Sequence, residues 1–204
     1  MKNIFYFILI SILSLTFISC AKEDDSSSSD NSSSSSSSSG TFVAVGASGT
    51  LLTSSDAITW TSRTSGTSNN LRSFAFDGSS TGVVVGYSGT VLTSTDGITW
   101  TSRTSGTTNN LYGGAYYNYG GYKGISLVGA SGKTLYFTDN YTSLTAWAAP
   151  SMTNNLFGFV RGGSTWVYVG SSGTIYTAGD TDTDVTARTS GTTESLRRVF
   201  YVGE

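Results

Sequence analysis

Histidine is absent from this chain, cysteine and proline each occur once, and charged side chains make up only 12% of its residues. Each shortage excludes something. Without histidine, the commonest general base and metal ligand is missing. A lone cysteine, Cys20, rules out an intrachain disulfide. Charge at about half the usual share, beside abundant Gly, Ser and Thr, suits short strands joined by tight polar turns rather than helices. The net charge of -2 arises in the first 39 residues, because from Gly40 onward nine Lys and Arg balance nine Asp and Glu. A neutral folded part carries no electrostatic footprint for nucleic acid. Nothing in the sequence points to a cofactor, and none is expected.

Residues 1–20 read MKNIFYFILISILSLTFISC, a short positive start followed by a largely apolar run from Ile4 to Ile18. That run is short for a membrane span and suits a secretory signal. It ends in Phe17-Ile18-Ser19-Cys20, which resembles a bacterial lipobox and implies lipidation of Cys20 as the mature N-terminus. Residues 21–40, AKEDDSSSSDNSSSSSSSSG, have almost nothing apolar with which to offset the entropy of ordering. They are expected to form a disordered tether with a root-mean-square reach of roughly 25 Å. The expected location is secreted and lipid-anchored, at a bacterial outer membrane or cell surface, with the lipid as the only membrane contact.

Beyond the tether the sequence repeats. Residues 53–71 read TSSDAITWTSRTSGTSNNL and residues 93–111 read TSTDGITWTSRTSGTTNNL, identical at 16 of 19 positions. Gly49, Gly89, Gly132 and Gly173 mark Ser-Gly turns at intervals of 40, 43 and 41 residues. Four kinds of short apolar run each occur four times. The first is near-continuously apolar (TFVAVG, GVVVG, ISLVG, WVYVG), as befits strands buried on both faces. The second follows the Ser-Gly turn, the third contains ITWTSR or its variants, and the fourth begins LRSFAF, LYGGAYY, LFGFVR or LRRVFYV. Four strands in about 41 residues is the blade of a β-propeller.

The expected fold is therefore all-β, a four-bladed propeller over residues 41–204 with repeats near 41–81, 82–124, 125–165 and 166–204. The chain starts with the first kind of strand and finishes with the fourth. This predicts that residues 196–202 pair beside residues 41–46, so that the N- and C-terminal strands together complete the first blade and protect its edges. A parallel β-solenoid is the rival fold. A monomer is expected, with a two-chain ring of eight blades as the alternative.

The stretches Ser54-Ser55-Asp56-Ala57-Ile58-Thr59-Trp60 and Ser94-Thr95-Asp96-Gly97-Ile98-Thr99-Trp100 resemble the Asp-box (BNR) motif. The array from Gly40 onward is similar to propellers that include photosystem-II assembly factors, bacterial surface proteins and, more distantly, sialidases. The resemblance implies that the boxes lie between third and fourth strands, away from the usual ligand face. The chemistry of the residues agrees with a structural part. Asp56 and Asp96 can accept backbone N–H bonds in a turn, and Trp60 and Trp100 offer large surfaces for packing between blades.

Arg63, Arg103 and Arg188 imitate a sialidase arginine triad, yet all three occupy one repeat position, which points to structure, such as bonds to carbonyls of the next blade. With only Glu194 and Glu204 as glutamates after residue 40, no carboxylate pair is placed for glycoside hydrolysis, and the chain is expected not to be an enzyme. Asp180, Asp182 and Asp184 have calcium-like spacing, but Val185 and Gly191 stand where an EF-hand-like loop wants Gly and Glu. A solvated turn is the expected role there, calcium the weaker alternative, and no other metal site is expected. Asn69-Asn70, Asn109-Asn110 and Asn154-Asn155 read as turns.

Specificity belongs where the repeats disagree. The candidate ligand-binding residues are Arg72, Tyr112, Phe157 and Arg197, which follow the repeated Leu, together with Arg198 and with Tyr87, whose counterparts are Ala47, Ala130 and Ser171. In a closed ring Arg72 and Arg197 would be neighbours able to share an anionic or polyhydroxyl ligand. The expected function is a non-catalytic binding or scaffold module for a protein or glycan. An envelope assembly factor is the alternative, and a sialidase-like hydrolase a more distant one.

Overall fold

Fifteen strands in four antiparallel sheets make up the computed structural model, which describes residues 40–119, 122–138, 140–147, 151–179 and 185–203. Cys20, the serine-rich stretch and Asp180, Asp182 and Asp184 lie outside the described residues. Blade 1 holds β1 (Phe42–Val45), β2 (Leu51–Ser54) and β3 (Thr61–Ser62). Blade 2 holds β4 (Leu71–Phe76), β5 (Gly82–Gly86), β6 (Val91–Ser94) and β7 (Thr101–Arg103). Blade 3 holds β8 (Leu111–Tyr119), β9 (Tyr122–Gly129), β10 (Thr134–Phe137) and β11 (Leu144–Ala146). Blade 4 holds β12 (Leu156–Gly162), β13 (Thr165–Gly170), β14 (Ile175–Ala178) and β15 (Thr186–Arg188). The protein is an all-β, four-bladed propeller, as the repeat implied.

The apolar second strands are buried because neighbouring blades cover both their faces. Val83, Val84 and Val85 of β5 are all but inaccessible, and Ile125, Leu127 and Val128 of β9 likewise. Burying a side chain of this size is worth about 1.5 kcal/mol or more. The clusters run between blades rather than within them: Leu51 of β2 packs with Leu71, Val84 and Leu92, flanked by Val45, Phe74 and Trp100.

Turn chemistry sets the spacing between blades. Each Ser-Gly turn places both residues at positive φ, as at Ser88 (53°) and Gly89 (68°). A Cβ at Gly89 would lie 1.9 Å from the Thr107 carbonyl oxygen, so glycine is required where the next linker crosses. The Asn pairs fasten that crossing rather than only turning the chain. Asn70 Oδ1 accepts from Ser48 N–H at 2.9 Å in the preceding blade, while Asn69 Nδ2 donates to Thr90 Oγ1 at 2.9 Å in the following one. Asn110 and Asn155 accept from Ser88 and Ser131 in the same way.

The first blade departs from expectation. Its sheet has three strands in the order β1-β2-β3, and residues 196–202 form no strand. That terminal stretch is nevertheless seated on blade 4 as an inner strand would be. Leu196 N–H donates to the Gly170 carbonyl at 2.9 Å, as Leu71 N–H donates to Gly46 at 2.8 Å. Among the described residues its other edge meets no partner strand, so the pairing expected between residues 196–202 and 41–46 is not made. Arg198 stands where the other inner strands carry Ser73, Gly113 and Gly158, and in blades 3 and 4 that glycine lets the next inner segment approach closely.

Candidate functional site

The inner strands of blades 2, 3 and 4 share one irregularity. Pairing jumps between Leu71 and Ser73, between Leu111 and Gly113, and between Leu156 and Gly158. A bulge re-aims the extra residue out of the ladder, and here the extra residues are Arg72, Tyr112 and Phe157. The glycine that follows Tyr112 and Phe157 brings the strands close. A Cβ on Gly113 would lie 2.8 Å from the Phe157 carbonyl oxygen, and one on Gly158 lies 3.1 Å from that of Arg197.

Five of the six expected ligand residues consequently form one unbroken ladder. The Arg72 guanidinium lies over the Tyr87 ring, 5.6 Å from its centroid. Tyr87 meets Tyr112 edge-on at 6.2 Å, and Tyr112 meets Phe157 at 5.3 Å. The Arg197 guanidinium then lies 5.4 Å from the Phe157 centroid. These are favourable separations for edge-to-face aromatic pairs and for cation–π contacts. Arg72 and Arg197 are exposed, and the three rings are half-buried. The face thus offers an apolar strip across three blades with a cation at each end. Along the strip Arg72 and Arg197 stand at opposite ends, with the three rings between them. Arg198 is exposed beside the strip but outside the ladder.

The repeated Asp turns lie at the opposite end of the blades, after β2 and β6. Asp56 Oδ1 accepts from Ile58 and Thr59 N–H, both at 2.8 Å, and Asp96 accepts from Ile98 and Thr99 at the same distances. Hydroxyls of Ser54 and Ser94 donate to the same oxygens. Those backbone bonds, then the serine, hold both carboxyls down at about 2, against an ordinary 3.8. Trp100 packs edge-on against Phe74 at 6.3 Å, whereas Trp60 is 42% exposed.

The three look-alike arginines make one and the same bond. Nε of Arg63, Arg103 and Arg188 donates to Thr53, Thr93 and Thr177 Oγ1 respectively, each at 2.8 Å. Their partners are threonines on the adjoining strand of their own blade, not carbonyls of the next one, and the three do not converge.

Sequence reasoning missed a second polar cluster. Burial pushes the Asp77 carboxyl up, but N–H groups of Thr81, Ser79 and Ser80 outweigh it and hold the group below 3.8. Across the blade boundary the Tyr141 phenol is pushed up to about 12, by burial first and then by the charge and hydrogen bond of Asp77. Both residues fall outside the repeated motifs, so comparing repeats could not flag them. Among the described residues no group of His, Cys, Asp and Glu is placed to hold a metal ion.

No family model and no curated protein matches the sequence. Solved structures do. "YCF48 bound to D1 peptide" matches with a TM-score of 0.58 at 20% identity, over 76% of this chain and 52% of that one. The likeness is one of fold, and this chain spans about half the length of that structure.

Proposed function

We propose that this protein is a lipid-anchored cell-envelope propeller that binds a protein or glycan, without catalysis, on the arginine–aromatic ladder. The carrying observation is the assembly of Arg72, Tyr87, Tyr112, Phe157 and Arg197 into one strip. An apolar strip with a cation at each end suits an extended segment that is apolar in the middle and anionic at its ends. A peptide is favoured over a glycan because edge-on rings leave little flat face for a sugar. The matched propeller, YCF48, was itself solved with a peptide bound, which lends the same preference and supports the second reading, an envelope assembly factor.

The non-catalytic reading draws on the arginines, each tied to its own blade. It draws also on Tyr141, whose raised phenol is the reverse of an activated nucleophile. Lipid anchoring and envelope location rest on the Cys20 motif and the serine-rich tether.

Peptide and glycan arrays probed with the full chain test the ladder. Tyr112→Ala or Arg72→Ala should weaken binding about tenfold or more, while Arg63→Ala leaves it intact. Array binding indifferent to both ladder changes would refute the site. Cleavage of a fluorogenic sialoside would refute the absence of catalysis.

A further inference from the structure

The two ends of the propeller expose complementary edges. At one end, β1 has no inner neighbour among the described residues. Val43, Ala44 and Val45 are only half-buried and Phe42 is 52% exposed. At the other, residues 196–202 sit on blade 4 in the place of an inner strand, with no described strand beyond them and with Phe200 81% and Val202 94% exposed. Such an unpaired apolar edge is a template for another strand. Blade 2 shows what fits it: Leu71 pairs with Gly86, Phe74 with Val84, Ala75 with Val83 and Phe76 with Gly82. Carried over by the repeat, Leu196 would pair with Gly46, Val199 with Ala44, Phe200 with Val43 and Tyr201 with Phe42.

We infer that two copies of this chain close a single eight-bladed ring, each giving residues 196–202 to complete the first blade of the other. Closure within one chain would use the same register, but two observations favour the second copy. The chain covers 52% of the matched propeller chain at a TM-score of 0.58, as part of a larger ring would. Arg198, moreover, replaces the small residue found at the other inner junctions. A four-blade ring crowds its inner strands most closely around the axis and leaves an arginine there the least room. At each seam of the two-copy ring, Arg197 and Arg198 of one chain approach Arg72 of the other, which joins the two ladders into one circular track. An isologous arrangement of this kind closes at two copies and leaves no edge free.

The test uses the full chain carrying Cys20→Ser, so that no other thiol is present. Light scattering should give the mass of two chains, falling to one when residues 196–204 are deleted. Chains with Ala44→Cys and chains with Val199→Cys should each stay uncrosslinked alone and form a disulfide-linked dimer when mixed under oxidising conditions. A single-chain mass at micromolar concentration overturns the inference, whatever the cysteine variants do. So does a disulfide that forms only within a doubly substituted chain, which would show closure in cis. Assemblies larger than two copies overturn it as well.

Discussion

Blades 1 and 2 are nearly the same sequence in two different situations. Across the 19-residue stretch that ends at Leu71 and Leu111 they differ only at Ser55/Thr95, Ala57/Gly97 and Ser68/Thr108. Their turns are alike to within about 10° in φ and their arginines make the same bond. Yet Val83, Val84 and Val85 are fully enclosed while Val43, Ala44 and Val45 are half-open. Trp100 is half-buried where Trp60 is exposed. The difference lies in what each blade receives from outside itself. Blade 2 has β4 as its inner strand and blade 1 behind it, whereas blade 1 has neither among the described residues. A blade's local geometry is set by its own turns, and its core by its neighbours.

The sharpest way to break that comparison is to place a charge at the same position in both blades. Val84→Asp buries an unpaired carboxylate among Leu51, Leu71 and Leu92 and should cost about 4 kcal/mol or more, enough to unfold a marginally stable propeller. Ala44→Asp, its counterpart on the open edge, should cost about 1 kcal/mol in a single chain, since water still reaches it. Urea denaturation of the two variants, each in a chain lacking residues 196–204 so that no seam forms, measures both. Equal losses would mean that blade 1 already has a closed core.

How much of this was legible beforehand follows the same division. Period, strand order and the turn glycines could be read because each is a local property repeated four times. The ladder could be read, unusually for a site, because Arg72, Tyr87, Tyr112, Phe157 and Arg197 break a repeat that is otherwise kept. What comparison of repeats could not supply was pairing. Arg72 and Arg197 are neighbours in the cyclic order of equivalent strands, yet residues 196–202 form no strand and the first sheet has three. Arg198 was the available clue: the residues equivalent to it are small, and its bulk marks a junction unlike the others. Asp77 and Tyr141 left no such trace, since neither belongs to a repeated run.

A smaller test concerns one of the three differences between the blades. Ala57 and Gly97 occupy the same turn position at φ of 60° and 69°. An alanine held there is strained by about 1 kcal/mol, and glycine relieves the strain at some cost in unfolded-chain entropy. Gly97→Ala should therefore destabilise by about 1 kcal/mol, with Thr41 Cγ2 only 3.3 Å from the new Cβ. Ala57→Gly should gain less than about 1 kcal/mol, because the added chain entropy offsets most of the relief. Denaturation midpoints of the pair give both numbers. A loss on Ala57→Gly would show that the first-blade turn holds its alanine by contacts beyond φ.

The last comparison should show no difference at all. Asp56 and Asp96 accept the same three bonds, and both carboxyls sit at about 2 when folded against 3.8 ordinarily. A carboxyl lowered on folding adds stability that is fully present above its ordinary value and disappears as pH falls through the folded one. Both turns should thus hold unchanged down to pH 4 and loosen together between about pH 4 and 2, where carboxyl resonances followed by NMR would titrate. Because every partner of each aspartate lies within the next three residues or two before, the missing strand of blade 1 has no route to Asp56. If Asp56 titrated well above Asp96, the open edge would be reaching the far end of the blade, and the separation of turn from core drawn from these two blades would fail.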